Sequence, residues 1–222
     1  GQIIAGGCLF EGENKMKLLN PIPNSILKKW PFGDIRQYFG FNCLYYGRLG
    51  ILGHNCIDIA TKYGDMIVAT HSGKVAGIYY NQTLGGQVIS ITGDERFIFE
   101  GEECVIHTVY GHLIKDSQQV KIGDIVEAGQ FIGLEGNTGF VISGGVPYWG
   151  NAPNQIGTHL HFGVYIVRTS DWKYKNPENG FKGAYDPTIF LEVEDKEKVS
   201  IMMKILENAK WLLNNMFKKL ST

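Results

Sequence analysis

Residues 157–163 read GTHLHFG, a run in which two histidines alternate with apolar side chains. Successive side chains of a β-strand point to opposite faces, so His159 and His161 would share one face. Leu160 and Phe162 would then enter the core from the other face. The alternation therefore predicts a half-buried strand that carries two imidazoles on its open side.

A second segment, GHNCIDIA at residues 53–60, offers the same arrangement on another predicted strand. His54 and Asp58 fall on one face, and Ile57 and Ile59 fall on the opposite face. A catalytic zinc site needs three nitrogen or oxygen ligands and keeps one position open for water. Each segment alone is weak evidence for a metal, but together they supply the side chains that such a site requires.

The region from about residue 41 to residue 191 contains many short runs of β-branched or aromatic residues bounded by Gly, Asp or Asn. These runs are residues 66–69, 74–80, 87–92, 106–113 and 125–134. No helical period persists there beyond one turn. The fold class is therefore predicted to be mainly β, with antiparallel strands joined by tight turns.

A third element, YGHL at residues 110–113, lies between the two histidine segments. In this order the three resemble the motifs of the lysostaphin-type (LytM-type) zinc endopeptidases, which cleave stem peptides or cross-bridges of bacterial peptidoglycan. The resemblance runs from about residue 31 to residue 191 and includes the glycine-punctuated segments 64–75, 120–133 and 136–139. It implies a catalytic domain of LytM type, an antiparallel β-sheet similar to a barrel-sandwich.

Carried over position by position, the resemblance implies one Zn²⁺ per chain, held by His54, Asp58 and His161 with solvent as the fourth ligand. His112 and His159 match the two catalytic histidines that flank the metal-activated water. The implied function is a zinc-dependent endopeptidase that hydrolyses peptide bonds of bacterial peptidoglycan. The alternative is a catalytically silent or latent family member that serves as a scaffold or regulator of another cell-wall hydrolase. Retention of all five positions argues against that alternative.

One departure from the family pattern is an insertion at residues 140–157, longer than the usual link before the His-x-His segment. It contains Tyr148 and Trp149. Loops beside a site on a rigid scaffold commonly set specificity, so one of these rings is predicted to line the substrate groove. Alternatively, the two rings pack the loop onto its own domain.

Three further side chains are predicted to have no catalytic role. Cys56 stands where the family commonly has glycine, on the predicted face of the ligands. It is either a fourth ligand that would close the site or, as we favour, a small buried thiol. His71 is predicted to be solvated in a turn. His107 is an odd number of residues from His112 and is predicted to face elsewhere.

The chain is predicted to consist of an N-terminal arm (1–40), a LytM-type metallopeptidase domain (41–192) and a C-terminal amphipathic helix (193–222). Apolar residues between positions 199 and 220 are spaced alternately by three and four, which is typical of a helix with one apolar stripe. This stripe is expected to pack on its own domain or arm, to mediate self-association or a larger assembly, or to lie on a membrane surface.

Composition argues against several other classes of protein. The net charge is −1 and there is no basic stripe, so nucleic acid is not an expected partner. The sequence contains no run of about 18 apolar residues, so no transmembrane segment is predicted. A lipoyl-like carrier is disfavoured because Lys121 does not lie at a predicted hairpin tip. From the resemblance and its substrate, the protein is expected outside the cytoplasm (secreted, periplasmic or in the cell envelope) or on a virion.

Overall fold

Antiparallel strands are the main regular elements of the computed structural model, which describes residues 16–23, 27, 34–151 and 153–191. The described strands are β1 (Ile35–Gln37), β2 (Ile57–Ile59), β3 (Met66–Val68), β4 (Gly73–Asn81), β5 (Gly86–Gly93), β6 (Phe97–Phe99), β7 (Glu102–Leu113), β8 (Ile125–Val126), β9 (Phe131–Leu134), β10 (Thr138–Ser143), β11 (Val146–Asn151), β12 (Leu160–Arg168) and β13 (Ala184–Tyr185). A short helix, α1 (Cys43–Gly47), and two 3-10 turns, Pro153–Gln155 and Pro187–Ile189, complete the described elements.

The main sheet has the strand order β1-β2-β12-β7-β5-β4-β8, with β13 beside β12 and β6 beside β7. Strands β7 and β12 lie at its centre and pair from His161↔Gly111 to Arg168↔Cys104. The first four even-numbered residues of β12 are fully buried in the core: Leu160, Phe162, Val164 and Ile166. The odd-numbered residues therefore lie on the open face, as the alternation predicts. The predicted mainly β, antiparallel fold class is confirmed.

Two predicted segments differ from the structure. The run 125–134 is two strands, because a turn intervenes in which Gln130 N donates to Glu127 O and Gly129 has a φ of +84°. Strand β9 then leaves the main sheet and pairs with β3. Most of the insertion 140–157 forms regular structure and not a loop, because β10 and β11 pair as an antiparallel hairpin.

The described part of the N-terminal region packs on the sheet. Strand β1 pairs with β2, so the main sheet already begins before residue 41. Met16 and Leu18 are buried in the core, and Leu18 forms a bridge with Leu191. The division into arm, domain and helix stays a prediction, and the predicted helix 193–222 lies outside the described residues. Within the described ranges, no helix has the length and hydropathy needed to cross a membrane.

Candidate metal centre

Three side chains bring their donor atoms together where β12 begins on the open face of the sheet. Asp58 on β2 is paired in register with His161 on β12, and His54 lies just before β2. His161 Nδ1 lies 2.9 Å from Asp58 Oδ1. His54 Nε2 lies 3.1 Å from His161 Nδ1 and 3.3 Å from Asp58 Oδ1. Two imidazole nitrogens and one carboxylate oxygen thus form a small triangle.

This triangle has the dimensions of three ligands around a tetrahedral zinc ion. With zinc–ligand bonds of about 2.0–2.1 Å, neighbouring ligand atoms in a tetrahedron lie about 3.3 Å apart. Two ring nitrogens that face each other at 3.1 Å also need a proton or a cation between them. Two imidazoles and a carboxylate are a ligand set of catalytic zinc sites, so the residues present fit a zinc ion.

Close backbone packing places His54, which lies before β2 and not within a strand as predicted. Gly40 N donates to His54 O, and His54 N donates to Phe41 O. A Cβ at Gly53 would overlap Gly40 O, so glycine is required for this approach. The His54 ring packs against Tyr46 with 5.2 Å between centroids. Among the described residues its buried Nδ1 has no hydrogen-bond partner, so packing orients the ring.

Two more imidazoles flank the triangle, and a backbone carbonyl fixes the tautomer of each. Because a carbonyl only accepts, His159 Nδ1 donates to Gly157 O at 2.6 Å and His112 Nδ1 donates to Thr138 O at 2.7 Å. Nε2 of each neutral ring therefore carries a lone pair. His159 Nε2 lies 3.6 Å from Asp58 Oδ1, and the rings of His112 and His159 are 4.5 Å apart. Both rings can accept a proton from water beside the triangle.

A second combination of donors shares one residue with the triangle. Donor atoms of His112, His159 and His161 also converge within 4.8 Å of one another. This group has no carboxylate to neutralise a divalent cation, whereas the triangle includes Asp58. The triangle therefore suits a divalent cation better than this second group does.

His112 reaches the site because the alternation of β7 breaks at this residue. Its φ is +64°, a region that residues other than glycine rarely adopt. Its backbone N–H donates to Gly85 O. The preceding residue, Gly111, is paired with His161, and a Cβ there would lie 3.4 Å from the His161 Cβ. The irregular backbone and the absent side chain at Gly111 together make room for both rings.

The electrostatics of the cluster favour an ionised carboxylate at Asp58 and neutral imidazoles at His112 and His161. Burial alone raises the pKa of Asp58, but His159, His54 and His161 hold that pKa well below its ordinary value. Burial and the neighbouring imidazoles of His159 and His161 hold the pKa of His112 well below 6.5. Burial also lowers the pKa of His161, although the hydrogen bond with Asp58 opposes this. Carboxylates and neutral imidazoles are the forms that bind metal cations.

The cluster lies in a cleft of about 730 Å³, here called the metal cleft. Tyr45 of α1 and Phe140 of β10 both line the cleft, and their rings stack within 6° of parallel with centroids 6.3 Å apart. Trp149 packs beside Phe140 at 5.3 Å and lines the cleft. Tyr148, its neighbour in β11, points to the other side of the hairpin. The substrate-binding roles of Tyr148 and Trp149 stay predictions.

Most of the aromatic lining of the metal cleft was not predicted from the sequence, including Tyr45, Tyr46 and Phe140. Two signals could have indicated them. Tyr45 and Tyr46 are an adjacent aromatic pair shortly upstream of the first histidine segment, and Phe140 directly follows the turn at residues 136–139. Large aromatic side chains on segments that flank ligand motifs are candidates for the walls of a binding site.

Cys56 is a buried thiol beside the metal centre. Within the described part of the chain, it belongs to neither group of converging metal donors. Burial raises the pKa of Cys56 well above its ordinary value, so the thiol is protonated. A Cβ at Gly163 would lie 2.7 Å from Cys56 Sγ, so the sulfur fills space that a side chain at position 163 would need. These contacts agree with the favoured interpretation.

The predictions for two other histidines were wrong. His71 is not solvated: its side chain is buried, Nε2 lies 2.9 Å from Thr108 Oγ1, and Nδ1 lies 2.9 Å from Ser72 O. His107 is paired with Tyr165 and therefore lies on the same open face as His161. Counting along the strand failed because the alternation breaks at His112. His107 nevertheless lies outside the metal-binding cluster.

Fold and site together define an antiparallel β-sheet domain with a cluster of His and Asp donors that could hold a metal ion. The chain belongs to peptidase family M23, because residues 52–177, more than half of its length, match that family. This match confirms the lysostaphin-type family resemblance inferred from the motifs.

The individual relatives share less than 30% sequence identity with this chain. Lysostaphin from Staphylococcus simulans is 29% identical over 168 residues, which cover 75% of this chain and 27% of lysostaphin. An uncharacterised metalloprotease from Haemophilus influenzae is 24% identical over 150 residues, covering 66% of this chain and 26% of its own. The chain thus spans about a quarter of the length of these relatives. The solved catalytic domain of S. simulans lysostaphin is similar with a TM-score of 0.45 and 25% identity, covering 69% of this chain and 87% of that domain.

Proposed function

We propose that this protein is a zinc-dependent endopeptidase that hydrolyses peptide bonds in the stem peptides or cross-bridges of bacterial peptidoglycan. The proposal rests on the triangle of His54, Asp58 and His161, flanked by the Nε2 atoms of His112 and His159. Membership of family M23 and similarity to lysostaphin support the peptidase class and the cell-wall substrate. The name of the H. influenzae relative supports metal dependence.

A zinc ion held by the triangle would supply a Lewis acid for the peptide carbonyl and lower the pKa of a water molecule to about 7. The chain's own imidazoles move the protons. His159 and His112 are fixed through Nδ1 and present Nε2 as the acceptor. A ring that accepts the proton of the attacking water becomes an imidazolium. It then stabilises the developing oxyanion and returns the proton to the leaving amine.

The metal cleft orients an extended peptide across these groups. Tyr45, Phe140 and Trp149 form one aromatic group in its lining, so a bound chain meets an apolar surface beside the centre. This apolar surface limits the access of water and strengthens the electrostatic interactions at the centre. Since peptidoglycan lies outside the cytoplasm, we place the protein in a secreted, periplasmic or cell-envelope location or on a virion.

The test is zinc content and peptidoglycan digestion on the same samples of the wild-type chain, His161→Ala and Asp124→Asn. Asp124 is an exposed turn residue that accepts a hydrogen bond from Lys121 N, and it serves as the control. We expect about one zinc per chain, with release of peptide fragments, in the wild type and the control. His161→Ala should lose both. Absence of zinc, or zinc without hydrolysis, in the wild type would refute the proposal and favour the silent or latent alternative.

A further inference from the structure

A second cleft, of about 520 Å³, opens on the same face of the main sheet as the metal centre. Its floor includes Thr92 on β5, His107 on β7 and Val167 on β12, and its wall includes Trp172 and Tyr174. We call it the Trp172 cleft. Tyr174 stacks on Tyr165, which also lines the metal cleft, with ring centroids 4.8 Å apart. The two clefts are therefore neighbours separated by one pair of stacked rings.

The spacing between the two clefts follows from the register of β12. Tyr165 and Val167 lie four and six residues beyond His161 on the same face. At a rise of about 3.3 Å per residue, they lie about 13 and 20 Å from His161. An extended peptide covers that distance with about four to six residues. A short peptide whose scissile bond lies at the metal centre can therefore bring its attachment point to the Trp172 cleft.

The turn that carries Trp172 holds an aromatic ring out toward solvent. The side chain is 62% exposed, and its φ of +56° is disfavoured for a bulky residue. Trp172 N donates to Arg168 O, Arg168 N donates to Lys173 O, and the Arg168 guanidinium donates twice to Asp171. A strained backbone that its surroundings fix, and that exposes an indole beside a cleft, points to a role in binding.

The polar groups of the Trp172 cleft are mostly neutral. His107 Nδ1 lies 2.8 Å from Thr92 Oγ1. Burial and the nearby His71 lower the pKa of His107 to about 4, so its imidazole is uncharged at neutral pH. The charge of Arg168 is paired with Asp171, which leaves Lys173 as an exposed cation at the rim. An aromatic face beside neutral hydrogen-bonding groups suits an uncharged ligand with many hydroxyl or amide groups better than an anion.

We propose that the Trp172 cleft binds pyranose rings of a glycan, namely the N-acetylated hexosamine units to which the cleaved peptide is attached. The C–H face of the sugar packs on the Trp172 indole, and its hydroxyl or acetamide groups bond with His107 and Thr92. Only the identity of the polymer rests on the proposed function. The cleft thereby provides a glycan subsite for an enzyme that acts on the peptide.

The direct test is titration of the zinc-loaded full chain with a soluble N-acetylglucosamine oligomer, followed by calorimetry and NMR. Trp172→Ala should weaken binding about tenfold, because it removes the stacking surface, whereas Trp172→Phe should keep most of the affinity. Trp149→Ala is the matched control, since that ring is similarly exposed (55%) but lines the metal cleft. Absence of binding by the wild type, or loss of binding in Trp149→Ala and not in Trp172→Ala, would overturn the proposal.

A second readout separates this inference from the proposed function. Trp172→Ala should cleave a glycan-free stem peptide at the wild-type rate, yet digest intact peptidoglycan several-fold more slowly. Equal loss on both substrates would contradict a glycan subsite. Oligomer binding by a wild-type chain that cleaves neither substrate would support the cleft and refute the endopeptidase. Cleavage of both substrates without oligomer binding would support the endopeptidase and refute the glycan subsite.

Discussion

Two buried groups of polar side chains centred on histidine, both within the described part of the chain, differ in how their hydrogen bonds are arranged. In the His71 network (Thr70, His71, Thr108 and Tyr110), His71 contacts Thr108 and the Ser72 carbonyl. Tyr110 OH accepts from Thr108 Oγ1 and Thr70 N, and lies 2.8 Å from Thr70 Oγ1. Both His71 nitrogens and the tyrosine hydroxyl therefore have partners inside the protein.

The candidate metal-binding cluster (His54, Asp58, His112, His159 and His161) is arranged in the opposite way. Nitrogens of His54, His159 and His161 converge on one oxygen of Asp58, at 2.9 to 3.6 Å. Donors are scarce among these atoms, because the Nδ1 protons of His112 and His159 are already committed to carbonyls. Burial of histidine is common to both groups, so burial does not identify a functional site. A functional site is identified by lone pairs that converge on one point without enough hydrogen-bond donors to satisfy them.

The largest effect that separates the two groups concerns catalysis. His159→Gln and His112→Gln should each lower kcat by a factor of about 10² to 10⁴, because each removes a proton acceptor next to the reacting water. Zinc content should stay at the wild-type level in both variants. Steady-state kinetics on a stem peptide together with metal analysis would check this. Loss of zinc in His112→Gln would indicate that the metal binds to His112, His159 and His161 instead of the triangle.

A smaller effect concerns pH and stability at the edge of the His71 network. The unfolded chain binds a proton at His107 near pH 6.5, whereas the folded chain binds it only near pH 4. Acidification through this interval therefore favours unfolding. Protonation of His107 lowers the free energy of unfolding by about 3 kcal/mol at pH 4 and below. Urea unfolding from pH 7 to pH 4 should show the wild type losing stability relative to His107→Asn. Parallel curves would contradict the assignment.

Removal of the tyrosine hydroxyl should affect stability alone. Tyr110→Phe leaves Thr70 and Thr108 without their buried partner, at a cost of about 2 kcal/mol in the free energy of unfolding. The ring remains packed on Phe162, so the sheet keeps its register. Zinc content and kcat should not change. A drop in either would mean that the network positions the metal centre, and the distinction between the two groups would fail.

The smallest expected effect is at Cys56, which lies beside the metal centre without joining it. Cys56→Ala removes one buried sulfur and should lower the free energy of unfolding by about 1 kcal/mol. Metal analysis should still give wild-type zinc content, since the remaining donors are intact. If zinc affinity fell together with stability, Cys56 would be a ligand, and the site would be closed to water.

The sequence predicted those parts of the site that depend on regular strands. The alternation around residues 157–163 assigned His161 to the open face and Phe162 to the core because a period of two is a local property. Asp58 was assigned in the same way on β2. These two residues are paired in register, and they form the shortest edge of the triangle.

The remaining parts depend on contacts between distant segments, which local patterns do not encode. His54 is held by Gly40 and Phe41, and the positive φ of His112 is stabilised by a hydrogen bond to Gly85 O. The contact between Tyr45 and Phe140 joins segments almost a hundred residues apart. For the same reason, counting along β7 gave the wrong face for His107, since a single irregular residue shifts the alternation beyond it.

The β10–β11 hairpin makes one wall of the metal cleft exchangeable. Its strands pair with each other and not with the main sheet. Its base is fixed by close backbone packing, because a Cβ at Gly139 would overlap Gly86 N and a Cβ at Gly86 would overlap Thr138 O. Lengthening such a hairpin adds little closure entropy, about 0.6 kcal/mol per doubling of the loop. A change in the length or sequence of this hairpin can therefore alter the substrate-facing wall and leave the pairing of Asp58 on β2 with His161 on β12 intact.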